Sequence, residues 1–470
     1  MIRQETLHRL RAFFGSRWYI ALVAGLILLG HTTVFVGGRP LFGGYQEFIF
    51  VGLMVLTLYA ACFVCNDLRF LIMPVISFIF LVPLEHSPNV PYHSRFYIEP
   101  LPLTLIIVLG VLLIGCLCWF CFRNRHIAKR IPYAKPIFLS MAVFCGALFF
   151  NGAFSSYYTV ADTVYPISFV LSLLLIYALF SAYTRFDETA FDYFMSCLVG
   201  AGLLICAELL LAYLTGGVRF ADGRVVKESV MLGWGVWTAI GGMLAFLMPA
   251  CFYFAYAHRR GWVFWLLGLL EYACILLSQS RGGLLVGTGI LALCLLRLCL
   301  GGANRKQNRI LTGGVAVAGL CVAALFFKPL LGILQNYLTA GLDDNGRFAI
   351  WKKGWDNFID YPIFGAGFYN SFINEDWPKE VYPYLYHNTL IQLLASGGIL
   401  AFGAYCYHRF CTVRLVLRRP NVRKTFLGIC ILALILFSLL DVLFFNTYPT
   451  IIYALMLLFM EKSEETTERM

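Results

Sequence analysis

Apolar and polar positions in this chain come in blocks rather than alternating along faces. Windows of roughly 20 mostly apolar residues, the length a helix needs to cross a bilayer, recur near 18–37, 46–65, 69–84, 101–122, 136–153, 163–183, 192–215, 233–257, 262–279, 283–300, 310–327, 388–408, 425–446 and 448–460. Short polar or basic stretches separate them. The pattern predicts an all-α fold, a polytopic transmembrane helical bundle of about 12–14 spans. One interruption is much longer than the others, an exterior loop over 328–387. Within it Phe348, Trp351, Trp355 and Phe358 recur at helical spacing beside Arg347, Lys352 and Lys353, which describes an amphipathic helix at a membrane surface. Asp343, Asp344 and Asn345 stand ready to cap it. Tyr361-Pro362, Gly365 and Gly367 then break the helix and turn the backbone tightly. An aromatic and acidic segment leads to His387 and Asn388 at the mouth of the next apolar window.

Composition supports the membrane reading, since a chain that is 60% hydrophobic and 13% charged has more apolar surface than one soluble core can bury. Residues 18–36 are long enough to span and are followed by no small-residue cleavage site, so they read as a retained first helix. With both termini in the cytoplasm, about 25 of the 36 Lys and Arg residues fall on the inner side, as the positive-inside rule requires. Residues 123–135 and 409–424 are the inner loops that carry most of this bias. The net charge of +11 is dispersed in short clusters, which argues against a nucleic-acid partner. The sixteen cysteines fall in windows or on the inner side, excluding an exterior disulfide framework. Cys62-x-x-Cys65 and Cys118-x-x-Cys121 have metal-ligand spacing, but in this apolar context they read as small buried hydrophobes. The acidic tail 461–470 reads as disordered.

Two exterior loops depart from the charge rule. One, 218–232, holds Arg219, Arg224 and Lys227; the other is the long loop, with Arg347, Lys352, Lys353 and Lys379. Between them, Ser278-Gln279-Ser280-Arg281-Gly282-Gly283 interrupts an apolar run at the same face. Guanidinium stays charged and grips phosphate oxygens bidentately, which suits a phosphorylated lipid with a pyrophosphate leaving group. A neutral histidine accepts a proton from a hydroxyl nucleophile, a role open to His387. An exterior arginine also serves as an interfacial anchor, and a histidine at a helix start as a cap. An isolated charge in lipid costs at least about 2.5 kcal/mol, so ionisable residues inside the windows should be paired or functional. Glu208 and Asp441 lie near the level of Arg281 and are expected to hold it or a neighbouring cation, whereas Glu271 is deeper and reads as a packing residue. No Asp-x-Asp, His-Glu-x-x-His or Gly-Lys-Ser/Thr motif is present, so a metal-assisted nucleotide-sugar transferase or an ATPase lacks its parts. The energy for an exterior reaction then has to arrive in the substrate, as it does in a lipid diphosphate-linked sugar.

Ser280-Arg281-Gly282 opening a helix, Gly346-Arg347 with Trp351 and Trp355, Pro362-x-x-Gly365-x-Gly367, and His387-Asn388 followed by Leu393, Gly397, Gly398 and Ile399 together resemble the O-antigen ligase and O-antigen polymerase superfamily. The motifs cover roughly 278–400. The resemblance implies a bacterial inner (plasma) membrane glycosyltransferase of the GT-C type, working without metal or cofactor in O-antigen, capsule or exopolysaccharide assembly. Its donor would be an undecaprenyl diphosphate-linked glycan and its acceptor a hydroxyl of a glycan or lipid-glycan on the outer side, with polysaccharide-assembly proteins as further partners. It implies diphosphate binding by Arg281 and by Arg219 or Arg224, a phosphate or structural role for Arg347, and a general-base or acceptor-orienting role for His387. Asn388, Glu208 and Asp441 are the supporting residues. On this reading 1–190 are N-terminal transmembrane helices, 191–460 the ligase/polymerase-like core, and 461–470 a cytoplasmic tail. About fourteen windows exceed the roughly twelve usual in ligases, and the reading leans to a polymerase. Trp355, Phe368, Tyr369, Trp377, Tyr382 and Tyr384 are candidates for stacking on sugar or anchoring at the interface. The rival class is a lipid-linked oligosaccharide flippase or transporter, which would line a cavity reaching both faces; here the unusual polar residues gather at one.

Overall fold

The computed structural model describes residues 4–31, 46–81, 100–221, 224–232, 234–325, 346–368 and 385–467. These residues are almost entirely helical: α1 (Gln4–Phe14), α2 (Arg17–His31), α3 (Gln46–Val64), α4 (Leu68–Phe80), α5 (Pro100–Arg123), α6 (Pro136–Leu148), α7 (Val160–Tyr183), α8 (Glu188–Leu214), α9 (Trp237–Ala257), α10 (Trp262–Leu277), α11 (Arg281–Leu300), α12 (Arg305–Leu325), α13 (Arg347–Asp360), α14 (Thr389–Leu417), α15 (Val422–Ser438) and α16 (Thr447–Thr467). A two-residue hairpin, β1 (Phe220–Ala221) against β2 (Arg224–Val225), is the exception. Within the described residues each apolar window contains helix, because a backbone surrounded by hydrocarbon must satisfy its own hydrogen bonds. Among the described residues α7, α8, α9, α11 and α14 are long and apolar enough to cross a membrane, and α1 with α2, bent by 63°, adds a sixth when counted as one span. The fold is all-α and polytopic. All sixteen cysteines are free thiols.

Small residues bring the helices that carry the site into close contact, as they do in membrane bundles generally. A Cβ on Gly242 of α9 would lie 2.6 Å from the Phe437 ring of α15, and one on Gly283 of α11 would lie 2.9 Å from the Gly241 Cα. The start of α11 is thereby seated against α9 and the end of α15.

A second interlock involves the 362–368 turn. Gly365 and Gly398 have left-handed φ of 70° and 61°, and Cβ atoms there would stand 2.2 Å from the Ser396 carbonyl carbon and 2.4 Å from that of Ile363. Gly398 kinks α14 at this point. Across the contact, the N–H groups of Ala366 and Gly367 donate to the carbonyls of Ala395 and Ser396 at 2.8 and 3.0 Å. The amino-terminal half holds the other side of the turn: the Gly152 N–H donates to the Phe364 carbonyl at 2.8 Å, and the Tyr165 and Phe368 ring centres lie 4.7 Å apart in a tilted contact. Gly365→Ala should therefore lower stability by at least about 2 kcal/mol, from left-handed backbone and overpacking together. Gly289→Ala, where a Cβ meets nothing within 4 Å, should leave the thermal midpoint unchanged or raised. Melting curves of the two detergent-purified variants give the comparison.

Three expectations are corrected. The third window is a broken helix, with 3₁₀ turns on either side of Ile72–Ser77. The stretch 409–424 is not a loop throughout, because α14 continues through Arg409 to Leu417. The Arg409 guanidinium is tucked among the rings of Tyr405, Phe444 and Tyr453 at 4.6, 4.3 and 4.9 Å, and cation–π attraction offsets part of the cost of burying its charge. The acidic tail is not disordered as far as Thr467, where α16 ends; Glu461 Oε1 lies 2.9 Å from Lys135 Nζ and anchors that stretch.

Candidate functional site

The turn that follows α15 gathers the motifs. A helix leaves its last carbonyls without intrahelical donors, and those of Leu439 and Leu440 are taken by side chains from two other helices. Asn388 Nδ2 donates to the Leu439 oxygen at 2.9 Å, and Arg347 Nη1 to the Leu440 oxygen at 2.6 Å. A cation at this negative helix end is favourably placed. The next residue, Asp441, lies 3.1 Å from His387 Nδ1 through its Oδ1. Gly282, beside Arg281, faces the Leu440 side chain, which would be 3.4 Å from a Cβ there.

Each of the three motifs reaches this turn at the start of a helix. Ser280 Oγ accepts from the Gly283 N–H at 3.0 Å and caps α11, with Arg281 as its first residue. Asn388 Oδ1 accepts from the N–H groups of Leu390 and Ile391 at 2.9 and 3.2 Å and caps α14. Arg347 begins α13 after Gly346, whose φ is 75°. Gln279 and His387, the residues before the two polar caps, have left-handed φ of 59° and 51°. Such backbone costs a non-glycine residue roughly 1–2 kcal/mol, which the capping bonds help to offset.

A carboxylate only accepts hydrogen bonds, so a neutral His387 carries its proton on Nδ1 toward Asp441 and keeps Nε2 as the basic nitrogen. Burial works against ionisation of Asp441. The hydrogen bond and charge of His387, the Val442 N–H and the nearby Arg347 together outweigh it and hold the carboxyl below the usual range. Asp441 was expected to hold Arg281 or a neighbouring cation; its side chain hydrogen-bonds His387, and the charge of Arg347 also acts on it. Glu208 is placed differently: its Oε2 accepts from Trp234 Nε1 at 2.8 Å, ahead of α9, and its Oε1 is buried without a hydrogen-bond partner. Hydropathy gives the depth of a residue in a helix but not the direction it faces. Glu271 is the expected packing residue, enclosed against Gly202 and accepting from Cys251 Sγ at 3.3 Å.

Arg219 precedes β1 and Arg224 begins β2, and both are exposed. The cation of this loop that reaches the site is Lys227, which the sequence placed in the loop but not among the binding residues. Its Nζ lies 4.8 Å from the Trp237 ring centre. Burial first, then the charges of Arg281 and Arg347, lower its pKa, with Glu228 opposing them. Position next to the start of α9, which packs on α11, is the signal that singles it out. Lys227, Arg281 and Arg347 are thus close enough for their charges to act on one another, and Arg347 acts in turn on the Asp441 of the His387–Asp441 pair.

The amphipathic helix is present as α13. Its Gly354 side packs on Tyr386 and Ile391, and Asn357 Nδ2 donates to the Tyr386 hydroxyl at 2.7 Å. Phe348, Trp355 and Ile359 are 67%, 49% and 60% exposed, an outward apolar face suited to a membrane interface. Gly346 supplies no side-chain cap, and the expected capping residues 343–345 lie outside the described residues, as do Tyr369, Trp377, Lys379, Tyr382 and Tyr384.

Residues 262–406 match the family described as O-Antigen ligase, a stretch that contains α10, α11, α13, the 362–368 turn and His387-Asn388. No curated protein gives a significant match to the chain. The family match, carried by the segment that brings Arg281, Arg347 and His387 to one turn of a polytopic helical bundle, supports membership of the O-antigen ligase and polymerase superfamily.

Proposed function

We propose that this protein transfers a glycan from an undecaprenyl diphosphate-linked donor to an acceptor hydroxyl on the outer face of a bacterial inner membrane, as a polymerase in preference to a ligase. The observation that carries the reading is the meeting of Arg281, Arg347 and the His387–Asp441 pair around the turn after α15. In the proposed step His387 Nε2 takes the proton of the acceptor hydroxyl while the oxygen attacks the anomeric carbon and inverts it. The bond to the diphosphate breaks, and the charge that develops on its oxygens is stabilised by Arg281, while Lys227 and Arg347 bind the diphosphate equally before and during the step. Asp441 steadies the imidazolium that forms. The donor's own diphosphate linkage supplies the driving force, so the chain needs no nucleotide and no cofactor.

Purified protein in liposomes containing a lipid diphosphate-linked glycan tests this. A ladder of lengthening glycans is the expected product, a single en bloc addition to a lipid core would make the protein a ligase, and movement of the glycan lipid across the bilayer without bond formation would overturn transfer altogether. In the same assay Lys227→Gln should raise KM for the donor about tenfold, the effect of ~1.4 kcal/mol in a charge-assisted contact, with kcat little changed. Arg224→Gln, at the exposed hairpin, should stay within about twofold of wild type.

A further inference from the structure

The groove that α2, α8 and α10 enclose lies at the other end of the bundle from the site above. It measures about 360 Å³ and is lined mainly by apolar residues, Gly25, Leu204 and Phe264 among them, with Ser196 and Arg17 as its polar members and Arg17 at one mouth. Phe264 belongs to the first turn of α10, whereas Arg281 follows the last turn of that helix. The two sites are therefore about a helix length apart, roughly 24 Å at 1.5 Å per residue.

Three features set the level of Arg17. The chain bends by 63° between α1 and α2 just before it. Helix α1 is amphipathic, turning Leu7, Leu10 and Phe14 toward the core and Glu5 and Arg9 outward, where they pair with each other, as a helix lying along a membrane surface does. Trp18, the next residue, is 78% exposed, and an exposed tryptophan beside a basic residue is typical of the headgroup region. From Arg17 to Leu28, the lining residues of α2 run about 16 Å at 1.5 Å per residue, close to half of the ~30 Å hydrocarbon core. The groove thus has the depth of one leaflet, a cation at the headgroup end and an apolar floor. It also has free width, because a Cβ at Gly25 would meet nothing within 4 Å.

We infer that this groove binds an anionic phospholipid, with one acyl chain lying along α2 and α8 and the headgroup phosphate on Arg17. The length argues for a diacyl lipid of a single leaflet over a polyprenyl chain, which is much longer, and the charge argues for an anionic headgroup over a zwitterionic one. Arg17 already lies 5.4 Å from the Phe254 ring centre, a contact that holds the guanidinium at the groove mouth without neutralising it.

Native mass spectrometry of the full-length protein, released from vesicles containing equal amounts of phosphatidylglycerol and phosphatidylethanolamine, tests the assignment. The wild type should retain phosphatidylglycerol over phosphatidylethanolamine by about fivefold, the usual effect of one basic residue near an anionic lipid. Arg17→Gln should lose that preference while keeping bound lipid, and Gly25→Leu, which fills the groove from its open side, should lose both lipids. Equal retention of the two lipids by the wild type, an unchanged preference in Arg17→Gln, or full retention in Gly25→Leu overturns the proposal. Displacement of phosphatidylglycerol by an equal amount of undecaprenyl phosphate overturns the phospholipid as occupant.

Discussion

Glycan transfer should fall by about 10²–10⁴-fold when His387 is replaced, the range over which a positioned general base acts. The side chain is 39% exposed and lies against Asp441, so its loss leaves little cavity. The backbone matters more, because alanine is strained at the left-handed φ of 51° whereas asparagine adopts that region readily. His387→Asn is thus the variant to set beside His387→Ala. Both should lose transfer, and the asparagine variant should keep the wild-type melting temperature. Asp441→Asn should lose less than either, because Nε2 remains but the tautomer and the imidazolium are no longer favoured by a carboxylate. Initial rates of product formation with a purified donor, with melting temperature as the folding check, read all three. Wild-type rates in the folded His387→Asn protein would remove the histidine from the reaction.

Arg281 should be nearly as sensitive, and lysine should not rescue it. A group placed where charge develops on a leaving oxygen is typically worth about 10²–10³-fold in kcat. The diphosphate presents several oxygens that a planar guanidinium binds in pairs and a lysine ammonium meets as a point charge. Arg281→Ala and Arg281→Lys should therefore both reduce kcat/KM by at least about 10²-fold, with the loss mainly in kcat. The cap of α11 rests on Ser280 and the Gly283 N–H, so neither substitution removes the bond that starts the helix. A double His387→Asn, Arg281→Ala protein that folds and still transfers glycan would sink the whole assignment.

The helices were legible because the apolar residues come in blocks, which a membrane chain cannot hide. The motif residues were legible because 278–283 interrupts an apolar run, His387 and Asn388 close the long polar loop, and their order resembles a known family; that Ser280 and Asn388 are helix caps came only with the structure. The partner of each group was not legible. Asp441 and Glu208 stand at similar depths by hydropathy, yet one faces His387 and the other Trp234. Choosing among Arg219, Arg224 and Lys227 depended on where a short hairpin points, which spacing does not encode. Arg409 looked like the end of a span because it is charged, and only its ring neighbours, contributed by α14 and by residues far along the chain, explain how the helix continues through it. The amino-terminal helices carried no motif, yet residues 152 and 165 hold the glycine turn of the later half.

Asn388 serves two helices with one side chain, its oxygen at the start of α14 and its nitrogen at the end of α15. The imidazole one residue before it is consequently mounted on a bracket rather than on a loop, with its other bond running to the same turn. In the proposed reaction the orientational entropy of aligning a base with its carboxylate is surrendered once, when the chain folds, and not again in each turnover.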